Sequence, residues 1–215
     1  MGGHVSGTGL TPTEGAIEGP FYRPGAPFLA PPCSLVRRPN ERGAVLVFSG
    51  TVVSTGGQPL GGAVLDLWQA SAEGRYSAGA AGSAGAAGGA DPTGLFDTGQ
   101  PPFNFRGRLA VSGDGGFEVT TRIPGAYRDP PGSLAASSLR PAHLHVRVTH
   151  PGHHTLTTQL FFEGDPHLES DPAEAVRPGL VTRLDRRADP AEVAARGLIR
   201  PFFACTFRFV LSAEP

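Results

Sequence analysis

The sequence predicts an all-β protein, an antiparallel β-sandwich with long loops and one or two short C-terminal helices. Seven short runs rich in β-branched, aromatic and aliphatic residues recur from Val45 onward. The 31 Gly and 22 Pro punctuate those runs rather than clustering, and several linking segments supply the positive-φ residues that tight turns need. A length of 215 residues suits one domain with elaborations.

Residues 1–44 are Pro- and Gly-rich with little periodicity, which predicts an extended N-terminal arm preceding a β-sandwich body over residues 45–215. The predicted strands are Val45–Val53, Ala63–Ala70, Arg108–Ser112, Phe117–Thr121, His143–Thr149, Leu156–Phe162 and Phe203–Leu211. Thr55-Gly56-Gly57-Gln58-Pro59 and Gly113-Asp114-Gly115-Gly116 predict hairpins, with sequential strands pairing antiparallel. Asp171-Pro172-Ala173-Glu174 and Asp189-Pro190-Ala191-Glu192 each carry an acidic N-cap, Pro at the first helical position and Glu at the third, and predict two helix starts. Ala78–Ala90 is almost pure Ala, Gly and Ser, which offers nothing to bury and predicts a flexible loop just after Tyr76. No repeat with a period of 20 to 50 residues is visible.

Composition excludes several classes of function. A net charge of −1 without a basic block gives no footprint for nucleic acid or an anionic membrane, and a small neutral or anionic substrate remains. All eighteen cationic side chains are Arg, so neither a Lys Schiff base nor a Walker-type phosphate loop can form. Cys33 and Cys205 fit no CxxC pattern and read as buried small hydrophobes. The first ten residues lack the charged and apolar regions of a signal peptide, and no apolar run reaches the ~20 residues that span a bilayer, so a cytoplasmic protein is expected.

The strongest local signal is Arg140-Pro141-Ala142-His143-Leu144-His145-Val146-Arg147-Val148. Strand alternation puts His143 and His145 on one face and Leu144, Val146 and Val148 on the other, where two imidazoles can share one metal ion. Three further histidines, His150, His153 and His154, sit on a Pro-Gly turn and are not chosen. A mononuclear site needs more donors. Asp165 or His167 would complete a His-rich zinc or ferrous site, while a non-catalytic binding module would need none. Two of the three tyrosines, Tyr76 and Tyr127, end β-type segments at glycine-containing turns, a context in which Tyr is usually a packed amphipathic side chain.

Taken in order, Ile17-Glu18-Gly19-Pro20 with Tyr22, Leu67-Trp68-Gln69-Ala70 with Gly74-Arg75-Tyr76, Pro124 to Tyr127, Arg140 to His145, and Leu156 to Gln159 before Gly164-Asp165 form a specific series. Over about residues 12–183 the chain resembles the intradiol ring-cleavage dioxygenases, the family of catechol 1,2-, hydroxyquinol 1,2- and protocatechuate 3,4-dioxygenases. The resemblance implies a transthyretin-like (prealbumin-like) sandwich and a ferric ion held by Tyr76, Tyr127, His143 and His145. Phenolate is a hard anionic donor suited to Fe(III). Tyr127 and His143 would be the axial pair, with Tyr76, His145 and hydroxide equatorial, and Tyr127 would leave to take a substrate proton. Arg140 would stabilise negative charge developing on the ring, and Gln159 would orient Arg140 and substrate. The implied reaction cleaves a catechol-type ring between its hydroxylated carbons with O2 to give a cis,cis-muconate-type diacid, with catechol or hydroxyquinol favoured over protocatechuate. A homo-oligomer, by preference a dimer, is implied too, although the helical segment with which catechol-type members build that interface has no counterpart ahead of the arm. Ser71 stands where the family more often has Asn or Asp, and the Ala78–Ala90 segment replaces sequence that helps wall the pocket.

Overall fold

The computed structural model describes residues 9–78, 96, 97, 99–128 and 138–215. The loop expected over Ala78–Ala90 lies, beyond Ala78, outside the described residues. All seven expected strands form: β1 (Val45–Ser54), β2 (Val64–Gln69), β3 (Arg106–Ala110), β4 (Gly116–Arg122), β7 (His143–Thr149), β8 (Leu156–Phe162) and β11 (Phe202–Leu211). Four short ones join them: β5 (Tyr127–Arg128), β6 (Leu139–Arg140), β9 (Val181–Thr182) and β10 (Asp185–Arg187). One sheet has the order β10-β11-β1-β4, a second β3-β2-β7-β8-β9, and β5 pairs with β6 alone.

Pairing departs from the expectation in two ways. β1 runs parallel to β11 from Leu46↔Phe203 to Ser54↔Leu211, and β8 runs parallel to β9, so the sheets are mixed rather than purely antiparallel. The two glycine-containing turns also do not join neighbours within a sheet. Thr55–Pro59 leads from β1 in the first sheet to β2 in the second, and Gly113–Gly116 leads back from β3 to β4. The reason is occupancy: both hydrogen-bonding edges of β1 are filled, one by β11 and the other by β4. Only the tip of β1 remains for its own turn, through Leu60 N to Val52 O (2.9 Å) and Ser54 N to Gln58 O (2.9 Å).

Only one of the two expected helices forms. Asp189 caps α1 (Pro190–Ala195) by accepting from Glu192 N at 2.9 Å. The Asp171 segment instead makes a turn: its carboxylate accepts from Ala173 N and Ala175 N, and Glu174 takes the left-handed φ of 48°, which stops helical propagation. No described helix is long and apolar enough to cross a membrane.

Both sheets contribute to one apolar cluster. Phe48, Val52, Val119 and Phe209 from the first meet Leu65, Leu67, Leu144, Val146, Val148 and Leu160 from the second. Each such side chain, once buried, contributes about 1.5–3 kcal/mol. Gly50 has to be glycine, because a Cβ there would stand 1.9 Å from the Phe207 carbonyl oxygen of β11 and 2.9 Å from the Phe117 ring. Cys205 lies in the core, its thiol pushed up to about 12 by burial, while Cys33 is half-buried, and both are free thiols.

The second face of the five-stranded sheet carries the polar chemistry. Its register aligns Arg106 (β3), Trp68 (β2), His145 (β7) and Gln159 (β8) in one row across the sheet. Residues 9–44, the described part of the chain before β1, run across the molecule without helix or named strand, touching it through Ala16 N to Thr157 O (2.9 Å), Thr158 Oγ1 to Glu14 O (2.8 Å) and Leu35 N to Thr120 O (3.0 Å). Through Ile17–Tyr22 this segment lies against the polar row and removes it from water.

Candidate active site

β7 alternates as its sequence dictates, with Leu144, Val146 and Val148 in the core and His143 and His145 on the opposite face. The two Nε2 atoms stand 3.0 Å apart. The Pro141 carbonyl, 2.7 Å from His143 Nδ1, can only accept, so the ring proton sits on Nδ1 and Nε2 offers its lone pair to the site. Burial pushes His143 down to about 3, and burial followed by the neighbouring His143 and arginine charges takes His145 well below its ordinary value. Both rings are therefore neutral, the form that ligates a metal. Trp68, the β2 neighbour of His145 in the row, stacks on its ring at 4.7 Å with planes 8° apart.

The two tyrosines arrive on loops locked together by glycine. Gly74 and Gly125 each precede a tyrosine by two residues, and their backbones are in close contact. A Cβ on Gly74, at φ 75°, would stand 2.3 Å from Ala126 O, and one on Gly125 would stand 2.3 Å from Ala72 O. Ser71 ties the same loops: its Oγ accepts from Glu73 N (3.2 Å) and its carbonyl from Gly125 N (2.9 Å). Its short side-chain oxygen thus makes the local turn bond that Asn or Asp also makes. Tyr76 Oη lies 3.2 Å from His145 Nε2, and Tyr127 Oη lies 3.4 Å from His143 Nε2. Phe21 from the N-terminal segment stacks on the Tyr76 ring at 4.2 Å and meets the Tyr127 ring edge-on at 5.4 Å. All four donor side chains are at least 97% buried, with Tyr127 the most exposed at 3%.

Four polar atoms in one buried place thus lie 3.0–3.4 Å from their neighbours. Donors each about 2 Å from a shared ion stand roughly 3 Å apart when adjacent, so the spacing fits a single metal ion. The electrostatics fit as well. Burial, with Tyr127 alongside, raises the Tyr76 phenol well above 10, so it stays neutral unless a highly charged cation binds it, and two phenolates suit a hard trivalent ion.

Arg140, in the β6 ladder directly opposite Tyr127, is also buried. It donates from Nε to Asp171 Oδ1 (3.0 Å) and from Nη2 to Gln159 Oε1 (2.8 Å), while Gln159 Nε2 donates to Ile17 O (2.8 Å). Burial opposes the guanidinium charge, but Asp171 together with Tyr127 and Tyr76 outweighs it and holds Arg140 above its ordinary value. Burial likewise opposes the Asp171 carboxylate, which Arg140 and the Ala175 and Ala173 amides hold below its usual range. Sequence reasoning missed Asp171, because Asp-Pro-x-Glu is also the signature of a helix start.

The alternative donors do not join the cluster. Asp165 accepts from Ala142 N (2.9 Å) and His167 N (2.8 Å), and among the described residues no three His, Cys, Asp or Glu side chains converge as a metal site. His150 and His153 pair with each other at the Pro-Gly turn.

The dioxygenase family model matches residues 17–213. Chlorocatechol 1,2-dioxygenase of Rhodococcus opacus is 37% identical over 185 residues, covering 81% of this chain and 65% of that protein. Catechol 1,2-dioxygenase of Acinetobacter baylyi is 32% identical over 208 residues, covering 93% and 62%. Among solved structures, catechol 1,2-dioxygenase of Acinetobacter radioresistens superposes with a TM-score of 0.80 at 31% identity, covering 96% of this chain and 64% of that one. The 3-chlorocatechol 1,2-dioxygenase of Rhodococcus opacus gives 0.77 at 32% identity, covering 97% and 75%. The chain belongs to the intradiol ring-cleavage dioxygenase family. It spans less than two thirds of the length of the curated relatives described here.

Proposed function

We propose that this chain is a non-haem ferric dioxygenase that opens a catechol-type ring between its two hydroxylated carbons, using O2 and releasing a cis,cis-muconate-type diacid. The convergence of Tyr76, Tyr127, His143 and His145 within 3.0–3.4 Å carries the proposal, because these side chains would hold Fe(III). When bound there, Fe(III) would supply Lewis acidity toward the two diol oxygens and an acceptor for electron density from the ring, the chemistry that makes a catechol-type ring reactive toward O2.

The chain's own residues handle protons, charge and water. Tyr127, beside Tyr76 and 3.4 Å from His143 Nε2, sits on a two-residue ladder outside the two main sheets, which suits it to swing out and accept a substrate proton at Oη. Arg140 keeps its charge in the dry site through Asp171, and offers it to negative charge developing on the ring. Gln159 receives one Arg140 N–H and is itself held by Ile17 O, so it fixes the direction in which the guanidinium faces. Phe21 and Trp68 wall the metal ligands from water.

Two sheets around one core support a transthyretin-like sandwich as the scaffold. The named relatives act on catechol and chlorocatechol, which favours catechol or hydroxyquinol over protocatechuate here. The family resemblance also carries the proposal of a homo-oligomer, a dimer by preference. Oxygen uptake with catechol, hydroxyquinol and protocatechuate tests the reading: one O2 consumed per diacid formed is expected with at least one diol. Uptake that yields a ring-intact quinone would overturn it.

A further inference from the structure

Arg106 is a buried arginine that the proposed reaction does not use. It is 1% exposed, and its guanidinium donates only to uncharged acceptors: Nη1 to Phe21 O (2.6 Å), Nη2 to Ser77 O (2.8 Å), and Nε to Ser77 O and Oγ (both 3.2 Å). Among the described residues no carboxylate forms an ion pair with it, in contrast to Arg140 and its Asp171. Burial brings Arg106 down to about 10, so the group is still charged at neutral pH. Buried Asp66 on β2 acts on this charge without touching it, and a buried charge with no contacting partner of opposite sign is costly; such an arrangement persists where a bound group supplies one.

The two backbones that Arg106 grips identify the group. Ser77 follows Tyr76 directly, and Phe21 is the ring stacked on Tyr76 at 4.2 Å. The guanidinium carbon itself lies 5.6 Å from the Tyr76 ring centroid. Arg106 also shares the sheet row of Trp68 and His145, so a strand fixes its position rather than a loop.

We propose that Arg106 is a positioning residue of the metal centre, clamping the Phe21 and Ser77 backbones around Tyr76 and serving as counter-charge to the Tyr76 phenolate when iron is bound. This rests on the ferric reading of the site. It assigns the arginine two separable duties. The planar fork holds the ring in place, and the charge lowers the energy of the phenolate electrons that give the centre its visible charge-transfer band.

Arg106→Lys keeps the charge and loses the fork. It should retain the band position while iron loss to a chelator accelerates about tenfold, the lower end of what loss of an outer-shell partner costs in metal affinity. Arg106→Met removes both, and the band should also move to longer wavelength. Coulomb's law over the 5.6 Å separation, at an effective dielectric of ~20, limits the shift to the order of 20 nm or less, because the electron moves only as far as the iron. Wild-type iron retention in Arg106→Lys overturns the clamp, and a wild-type band in folded Arg106→Met overturns the counter-charge. If Arg106→Met does not fold, Arg106→Gln, which removes the charge but keeps amide donors for the Phe21 and Ser77 carbonyls, takes its place, and a wild-type band there overturns the counter-charge. The band of the unmodified protein tests the ferric reading and its displacement in the variants tests Arg106, so the two fail separately; a colourless unmodified protein overturns both.

Discussion

His145→Ala should purify with little iron and no ring-cleaving activity, whereas Tyr127→Phe should keep most of its iron and still lose the bulk of its turnover. The two side chains lie in the same buried cluster but are held differently. His145 is on a seven-residue strand paired on both sides, under the Trp68 ring and beside Tyr76. Its removal deletes a donor from the most rigid part of the site, and nothing described nearby can replace it. Tyr127 comes from a two-residue ladder, and His143 Nε2 is 3.4 Å away. Without its hydroxyl three donors remain, so affinity falls while the ion stays. What is lost is the group that receives a substrate proton, and general acid–base partners of this kind contribute roughly 10²–10⁴-fold. Metal analysis alongside kcat separates the cases. Full turnover in Tyr127→Phe would remove that tyrosine from the proton path.

A second large effect is expected on acidification of the metal-free protein. His143 is held at about 3 when folded and returns to about 6.5 when unfolded, and His145 is shifted in the same direction. Between those values the unfolded chain binds protons that the folded chain refuses, so stability falls as pH drops from about 6.5 toward 3. The slope approaches about 1.4 kcal/mol per pH unit for each histidine. Asp171 adds to this at the acid end. Its folded pKa is depressed, so its contribution is complete above the unfolded carboxylate value and disappears as pH falls through the folded one. Denaturant midpoints should therefore drop steeply across pH 6 to 4. A flat profile over that range would mean that the two imidazoles are not buried as described.

The strands were legible because each is a short β-favouring run closed by Gly or Pro, and the seven found from sequence all form. Their partners were not. Thr55–Pro59 has hairpin chemistry and does bond the tip of β1, but β4 fills the rest of that edge and β11, whose register partners lie 157 residues further along the chain, fills the other, and no local signal reports either pairing. At the site, period-two alternation was enough to put His143 and His145 together. Tyr76 and Tyr127 were reached only through the family resemblance. The physical cause was nonetheless in the sequence, as two Gly-x-Tyr units whose glycines allow backbone contact. Asp171 was hidden because a carboxylate before Pro serves equally as a helix cap or as a partner for a distant arginine, and only Arg140 decides which. Arg106 could not be singled out either, since its role depends on the β2–β3 register that sets it beside Trp68.

The ferric centre is tested most directly by measuring metal content and the visible spectrum together on protein purified from cells supplied with both iron and zinc. One iron per chain is expected, with a broad visible band from tyrosinate-to-Fe(III) charge transfer that is weakened or shifted in Tyr76→Phe. A colourless protein carrying stoichiometric zinc would contradict it.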